Sequence, residues 1–194
     1  MSRFAPRFRQ SPCPGWDRFF FIAFALFILV AFVHEPLFYL YCGWDGLRAK
    51  SCANPIVAAL WIGYANYDPV YFDMPLWMAL MIGFDSVLLS PFYVYSAYAL
   101  WTHRIDTPLY RAIAYTVCGG LIYAMILYIT WEVITAEKYN ASLLPVIAYN
   151  IPWGIIPLLY VFRLYFGGRR WEALVNGADK MRDGKHLRVV QPSS

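Results

Sequence analysis

"YNIPWGIIP", Tyr149 to Pro157, lies inside a run of side chains that is otherwise hydrocarbon. Asn150 brings two N–H donors and a carbonyl acceptor, while Pro152 and Pro157 each remove a backbone donor. Lipid offers partners to none of these groups, so the stretch is tolerable only where it faces protein, water or a ligand. A lone helix in a bilayer provides none of these. The segment therefore implies other helices packed around it.

The rest of the chain supplies them. Of 194 residues, 60% are apolar, 20% aromatic and 14% charged, a membrane composition rather than that of a soluble domain. Four apolar windows reach the ~20 residues that a bilayer crossing takes. They run roughly from Arg18 to Tyr41, Pro75 to Leu100, Arg111 to Ile134 and Ser142 to Tyr165. The expected fold is an all-α integral membrane protein with four transmembrane helices. Residues 1–17 form an N-terminal arm, 18–166 the membrane domain and 167–194 a basic tail. No cleavable signal peptide is expected, because the first run is too long for an h-region and lacks a small-x-small exit.

Cations set the expected orientation. The arm holds Arg3, Arg7, Arg9 and Arg18, the second connection Arg104 and Arg111, and the chain from Arg163 onward seven more; together these are thirteen of the sixteen Lys and Arg. Both termini are therefore expected in the cytosol. A basic tail beside a helix end needs only the bilayer surface as partner, so no nucleic-acid partner is expected.

Cys42 and Cys52 share the first extracytosolic loop, where oxidation is possible. Both a disulfide and two free thiols are compatible with that position. Cys13 and Cys118 are expected to stay unpaired. Neither CxxC nor a Cys/His cluster at metal spacing occurs, so neither metal nor cofactor is expected. In the same loop Ile56, Leu60, Trp61 and Tyr64 recur at helical spacing and predict a short helix lying over a pocket mouth, ended at Asp68-Pro69. The plainer alternative is an interfacial anchor using Trp61, Tyr64 and Tyr67 as an aromatic belt.

Ionisable groups at membrane depth are costly, so each is a candidate for function. Four occur: His34 and Glu35 in helix one, Asp85 in helix two and Glu132 in helix three. At ~1.5 Å per residue, His34 lies ~24 Å from the cytosolic start of helix one, Asp85 ~15 Å and Asn150 ~12 Å below the other face. Glu132 falls close to the extracytosolic end of its helix. All four helices thus offer a polar group to one half of the membrane, as a buried pocket requires. Each also has a structural reading: Asp85 and Asn150 as interhelical glue, His34 as a core histidine, Glu35 and Glu132 reaching for headgroups, Trp153 as core filling. An acid, a histidine, an amide and an indole in a dry aromatic pocket suit a cationic ligand or a carbocation.

These residues resemble the emopamil-binding protein family, the EXPERA domain, over roughly residues 18 to 166. "FVHEP" at 32 to 36, "LWIGYANYDPVY" at 60 to 71, "DSVLLSPFYVYSAYA" at 85 to 99, "GLIYAMILYITWE" at 120 to 132 and "NIPW…P" at 150 to 157 carry the resemblance in order. It implies a four-helix EXPERA bundle and Asp85 as the central acid, with His34 and Glu132 beside it in catalysis. Asn150, Trp153, Tyr123, Asp68 and Glu35 are implied as substrate-binding. Two departures stand out. The isomerase's second glutamate is replaced by Phe38, with Glu35 expected on a different face, and helix two carries Asp rather than Glu. The implied function is a sterol or terpenoid isomerase that protonates an alkene, stabilises the cation and deprotonates a neighbour. Alternatives are a terpenoid cyclase, or a non-catalytic protein that binds sterols or cationic amphiphilic amines as the sigma-two receptor does. Expected partners are the lipid bilayer and such small molecules, with a homodimer compatible. The expected location is the endoplasmic reticulum membrane in a eukaryote or the inner membrane in a bacterium.

Two outcomes are expected. Tags at both termini should be digested by protease added to the cytosolic face of sealed vesicles, and a protected C-terminus rules out this orientation. If Cys42 and Cys52 are bridged, reduction and alkylation should change gel mobility and mass.

Overall fold

The computed structural model describes residues 13–36 and 55–182, with backbone alone at 33, 34, 57 and 168–182. The arm before residue 13, the Cys42–Cys52 pair and the end of the tail lie outside the described residues. Helix α1 spans Pro14–Ile28 and continues as a π-helix through Leu29–His34. Two short helices come next, α2 at Pro55–Ala65 and α3 at Val70–Asp73. Helix α4, Leu76–Trp101, contains a π segment at Asp85–Leu89. Helices α5, Pro108–Tyr139, and α6, Leu143–Arg182, complete the chain, α6 with a break at Gly167 where φ is 67°. Four segments are long and apolar enough to cross a membrane: Pro14–Phe32, Leu76–Trp101, Pro108–Tyr139 and Leu143–Gly167. The protein is an all-α, multi-pass bundle, and no strand occurs among the described residues.

Local chemistry sets the boundaries. Pro75 opens α4 from an extended conformation, after Met74 turns the chain at φ 40°. Thr107 caps α5, its hydroxyl accepting the Tyr110 N–H, and Pro108 occupies the first turn, where its missing donor costs nothing. Asn140 ends α5 in the left-handed region at φ 55°, a conformation that Asn tolerates better than most side chains. With α6 starting three residues later, α5 and α6 must run antiparallel. The turn is tied down where the Ser142 N–H donates to the Tyr67 carbonyl at 2.8 Å.

Two apolar clusters hold the bundle. Phe20, Phe24, Phe27 and Ala31 recur at helical spacing on α1 and meet Tyr93 of α4, Cys118 of α5 and Tyr160 of α6. Phe24 packs edge-on against Tyr160, centroids 4.9 Å apart. The second cluster joins Trp61, Ala65 and Tyr71 of the short helices to Met78, Tyr128 and Val146. At Gly154 α6 lies against α5, where a Cβ would meet that of Met125 in ordinary contact at 3.5 Å.

One ion pair closes the ring. Arg163 of α6 donates from Nε to Asp17 Oδ1 at 3.0 Å and from Nη2 to Oδ2 at 3.2 Å. Both side chains are buried, at 0% and 1% exposure. The start of α1 and the end of α6 therefore lie on the same side of the bundle, as four crossings demand. Arg163, counted above among the cytosolic cations, thus lies inside the fourth apolar window and meets a carboxylate, not headgroups.

Removing one member of a buried pair leaves the other charge uncompensated, at about 3–5 kcal/mol. Asp17→Asn should therefore lower unfolding stability in detergent by roughly that amount, while Asp17→Leu combined with Arg163→Met should recover most of it. Unchanged stability in Asp17→Asn would mean that the pair does not hold α1 to α6.

Candidate functional site

Helices α1, α2, α4, α5 and α6 surround a cavity of about 940 Å³, within the ~300–1,000 Å³ of small-molecule sites. Helix α4 packs on α5 through its Ser90–Trp101 half; its first half meets α5 where Trp77 packs edge-on against Trp131, centroids 4.8 Å apart, and lines the cavity. Leu80, Phe84 and Leu88 of α4 face Val117, Leu121 and Ala124 of α5 across it. Polar groups are few: Glu35, Asp85, Asn150 and the hydroxyls of Tyr64, Tyr71, Tyr149 and Thr116, with indole N–H groups among them.

Glu35 and Asp85 adjoin and hydrogen-bond one another. The two π segments bring them there. On a regular α-helix, five residues at ~100° each leave Val30 and Glu35 roughly 140° apart. In the π turn the N–H of Glu35 donates to the carbonyl of Val30, so the two stack and both line the cavity. Phe38, the position with which Glu35 was compared, lies outside the described residues; Glu35 itself lines the cavity together with Val30. Across from it, the Ser90 N–H reaches back to the Asp85 carbonyl in the same i to i+5 pattern. The two π segments pack against each other, and such segments often mark functional positions.

Two hydroxyls orient the acids. Ser86 Oγ donates to Glu35 Oε2 at 2.9 Å, and Tyr93 Oη donates to Asp85 Oδ1 at 3.2 Å. Ser86 and Tyr93 were not legible as site residues, although both lie in the "DSVLLSPFY" motif. A hydrogen bond between two carboxyls needs a proton on one of them, so the pair can both give a proton and take one. Trp153 lines the same cavity with one ring face stacked on Phe27, centroids 4.1 Å apart and planes 15° apart.

Asn150 is held differently. Its Nδ2 donates to the Val146 carbonyl at 2.8 Å and to Tyr64 Oη at 2.6 Å. Helix α2 thus lies over the cavity with Leu60, Trp61 and Tyr64 lining it, and the Tyr64–Asn150 bond fastens it to α6. Behind Tyr64, the Tyr128 hydroxyl donates to Asp68 Oδ2 at 2.7 Å, and Tyr64 reaches the same oxygen at 3.4 Å. Burial raises the Asp68 carboxyl above its ordinary range, while the bonds from Tyr128 and Tyr64 act the other way. Burial likewise pushes Tyr64 up to about 12.

Four of the expected site residues, Asp85, Glu35, Asn150 and Trp153, share the cavity wall. Asp68 and Glu132 come together around Tyr128 but stand outside the lining. Glu132 is 1% exposed, which overturns the reading that it reaches headgroups. Tyr123 is corrected: it is 64% exposed and outside the lining. The His34 side chain lies outside the described residues.

The family model described as EXPERA, the expanded EBP superfamily, matches residues 56–164. No curated protein and no solved structure matches the chain. The match takes in α2 through most of α6 and more than half of the 194 residues. The chain belongs to the EXPERA, or expanded EBP, superfamily.

Proposed function

We propose that this membrane protein is an isomerase of a sterol or other terpenoid, moving a double bond through a carbocation. The observation that carries this reading is the adjoining Asp85–Glu35 pair in a large cavity otherwise lined by aromatic and aliphatic groups. Protonating an isolated alkene requires an acid shielded from water, because water would both compete for the proton and trap the cation. The pair supplies such an acid, with Tyr93 and Ser86 orienting its two members. Trp153, stiffened by Phe27, stabilises positive charge through its ring quadrupole. His34 is the proposed partner from α1. The same proton chemistry on a longer polyene gives the cyclase alternative.

A second reading rests on the same pair. With its proton withdrawn it is a counter-ion for a cationic amphiphilic amine, and binding without turnover is then the whole activity. We place the protein in the endoplasmic reticulum membrane of a eukaryote, or the inner membrane of a bacterium, with both termini in the cytosol.

Asp85→Asn removes the ionisable carboxyl at nearly constant volume, so the fold should persist. In deuterated water, conversion of a sterol or terpenoid alkene should fall about 10²–10⁴-fold. Under the binding-only reading no conversion occurs in either protein, and Asp85→Asn weakens amines while neutral sterols still bind. Unchanged conversion together with unchanged amine affinity would reduce Asp85 to interhelical glue.

A further inference from the structure

A second pair of carboxyls lies behind the cavity wall. Asp68 is fully buried just after α2, and Glu132 is 1% exposed on α5. Tyr128 sits four residues before Glu132, on the same face of α5, and its hydroxyl donates to Asp68 Oδ2 at 2.7 Å, which places the two acids on either side of it. The groups facing this cluster are Tyr64 of α2, Tyr71 of α3, Tyr128 of α5 and, through Tyr64, Asn150 of α6. No cation is among them. Among the described residues the ion pairs engage Arg111 and Arg163, and Lys138 bonds Tyr139. One oxygen of each acid, Asp68 Oδ1 and Glu132 Oε1, is buried without a hydrogen-bond partner.

Two ionised carboxylates buried side by side without a cation are prohibitively costly. Asp68 Oδ2 receives two hydroxyl donors, which suits the ionised member. Glu132, with an orphaned oxygen, suits the protonated one. The cluster also touches the cavity at one atom: Tyr64 lines it, and Tyr64 Oη lies 3.4 Å from both Asp68 Oδ2 and the Tyr128 hydroxyl.

We propose that Asp68 and Glu132 hold one proton between them and exchange it with the cavity through the Tyr64 hydroxyl, forming a second proton site beside the Asp85–Glu35 pair. Its part in catalysis rests on the isomerase reading, which needs a group to take a proton from the carbon next to the cation. Tyr64 Oη accepts that proton while its own passes to Asp68 Oδ2, directly or through Tyr128. One C–H bond and one O–H bond break, two O–H bonds form, and the C–H electron pair becomes the new double bond. Run backwards, the step delivers a proton. Asn150, whose Nδ2 donates to Tyr64 Oη, aims the tyrosine proton away from itself and toward the acids.

The test needs no substrate, so its failure and that of the isomerase reading are separable. Infrared difference spectra between the unsubstituted protein and Glu132→Gln isolate the Glu132 carboxyl without touching Asp85 or Glu35. A protonated-carboxyl C=O band should vanish in the variant. In Tyr64→Phe the band should remain, with its hydrogen-to-deuterium exchange slowed at least tenfold. No band lost in Glu132→Gln, or exchange in Tyr64→Phe at the unsubstituted rate, overturns the proposal. Where sterol conversion is measurable, Tyr64→Phe should also slow it at least tenfold while amine binding persists, and unimpaired conversion overturns it equally.

Discussion

Hydrocarbon offers no hydrogen bonds, and the architecture of this bundle is set by how its buried polar groups meet that shortage. A polar side chain at membrane depth must find its partner within the protein, on its own helix or on another. Asp17 finds Arg163, Asp85 finds Glu35 and Tyr93, and Asn150 finds Tyr64. Most of these bonds cross between elements distant in sequence, so together they specify which helices neighbour one another. Apolar packing alone discriminates weakly here, because lipid tails are as apolar as leucine. Aromatic contacts such as Phe24 with Tyr160 and Phe27 with Trp153 then fill the register that the polar bonds define.

The polar groups fall into three layers. At one end of the bundle the Asp17–Arg163 pair is sealed and structural, with no connection to the cavity. The Asp85–Glu35 pair lies open to the cavity. The Asp68–Tyr128–Glu132 group lies behind it, joined through a single tyrosine. Helix α2 therefore does more than cover the site. The hydroxyl that fastens it to α6 is also the atom at which the Asp68–Tyr128 group meets the cavity.

The two π segments are the local device behind the site. A π turn inserts one extra residue and rotates the next turn of the helix onto another face. It forfeits part of the regular hydrogen-bond ladder, a cost that makes sense where a side chain must be aimed. On α1 it stacks Glu35 over Val30; on α4 it begins at Asp85 itself. Placed opposite each other, they bring two acids into contact across an interface where straight helices would keep them apart.

By itself the sequence determined the class and the order of parts. Four predominantly apolar windows of ~20 residues or more read as membrane crossings, and the spacing of Leu60, Trp61 and Tyr64 predicted the short helix that the fold lays over the cavity. Asp85, Asn150 and Trp153 were legible as an inward group because polar residues at depth must face protein. Tertiary structure decided the partners. The stacking of Glu35 over Val30 was invisible because helical periodicity cannot foresee a π turn. Arg163 was misread because a cation near a helix end looks the same in sequence whether it meets headgroups or a carboxylate. Tyr123 was included on a motif, yet in the fold it is exposed and stands outside the cavity lining. Ser86, Tyr93 and Tyr128 went unseen for a related reason: a hydroxyl among aromatic and small residues carries no periodic signal, and its role exists only once another element supplies the acceptor.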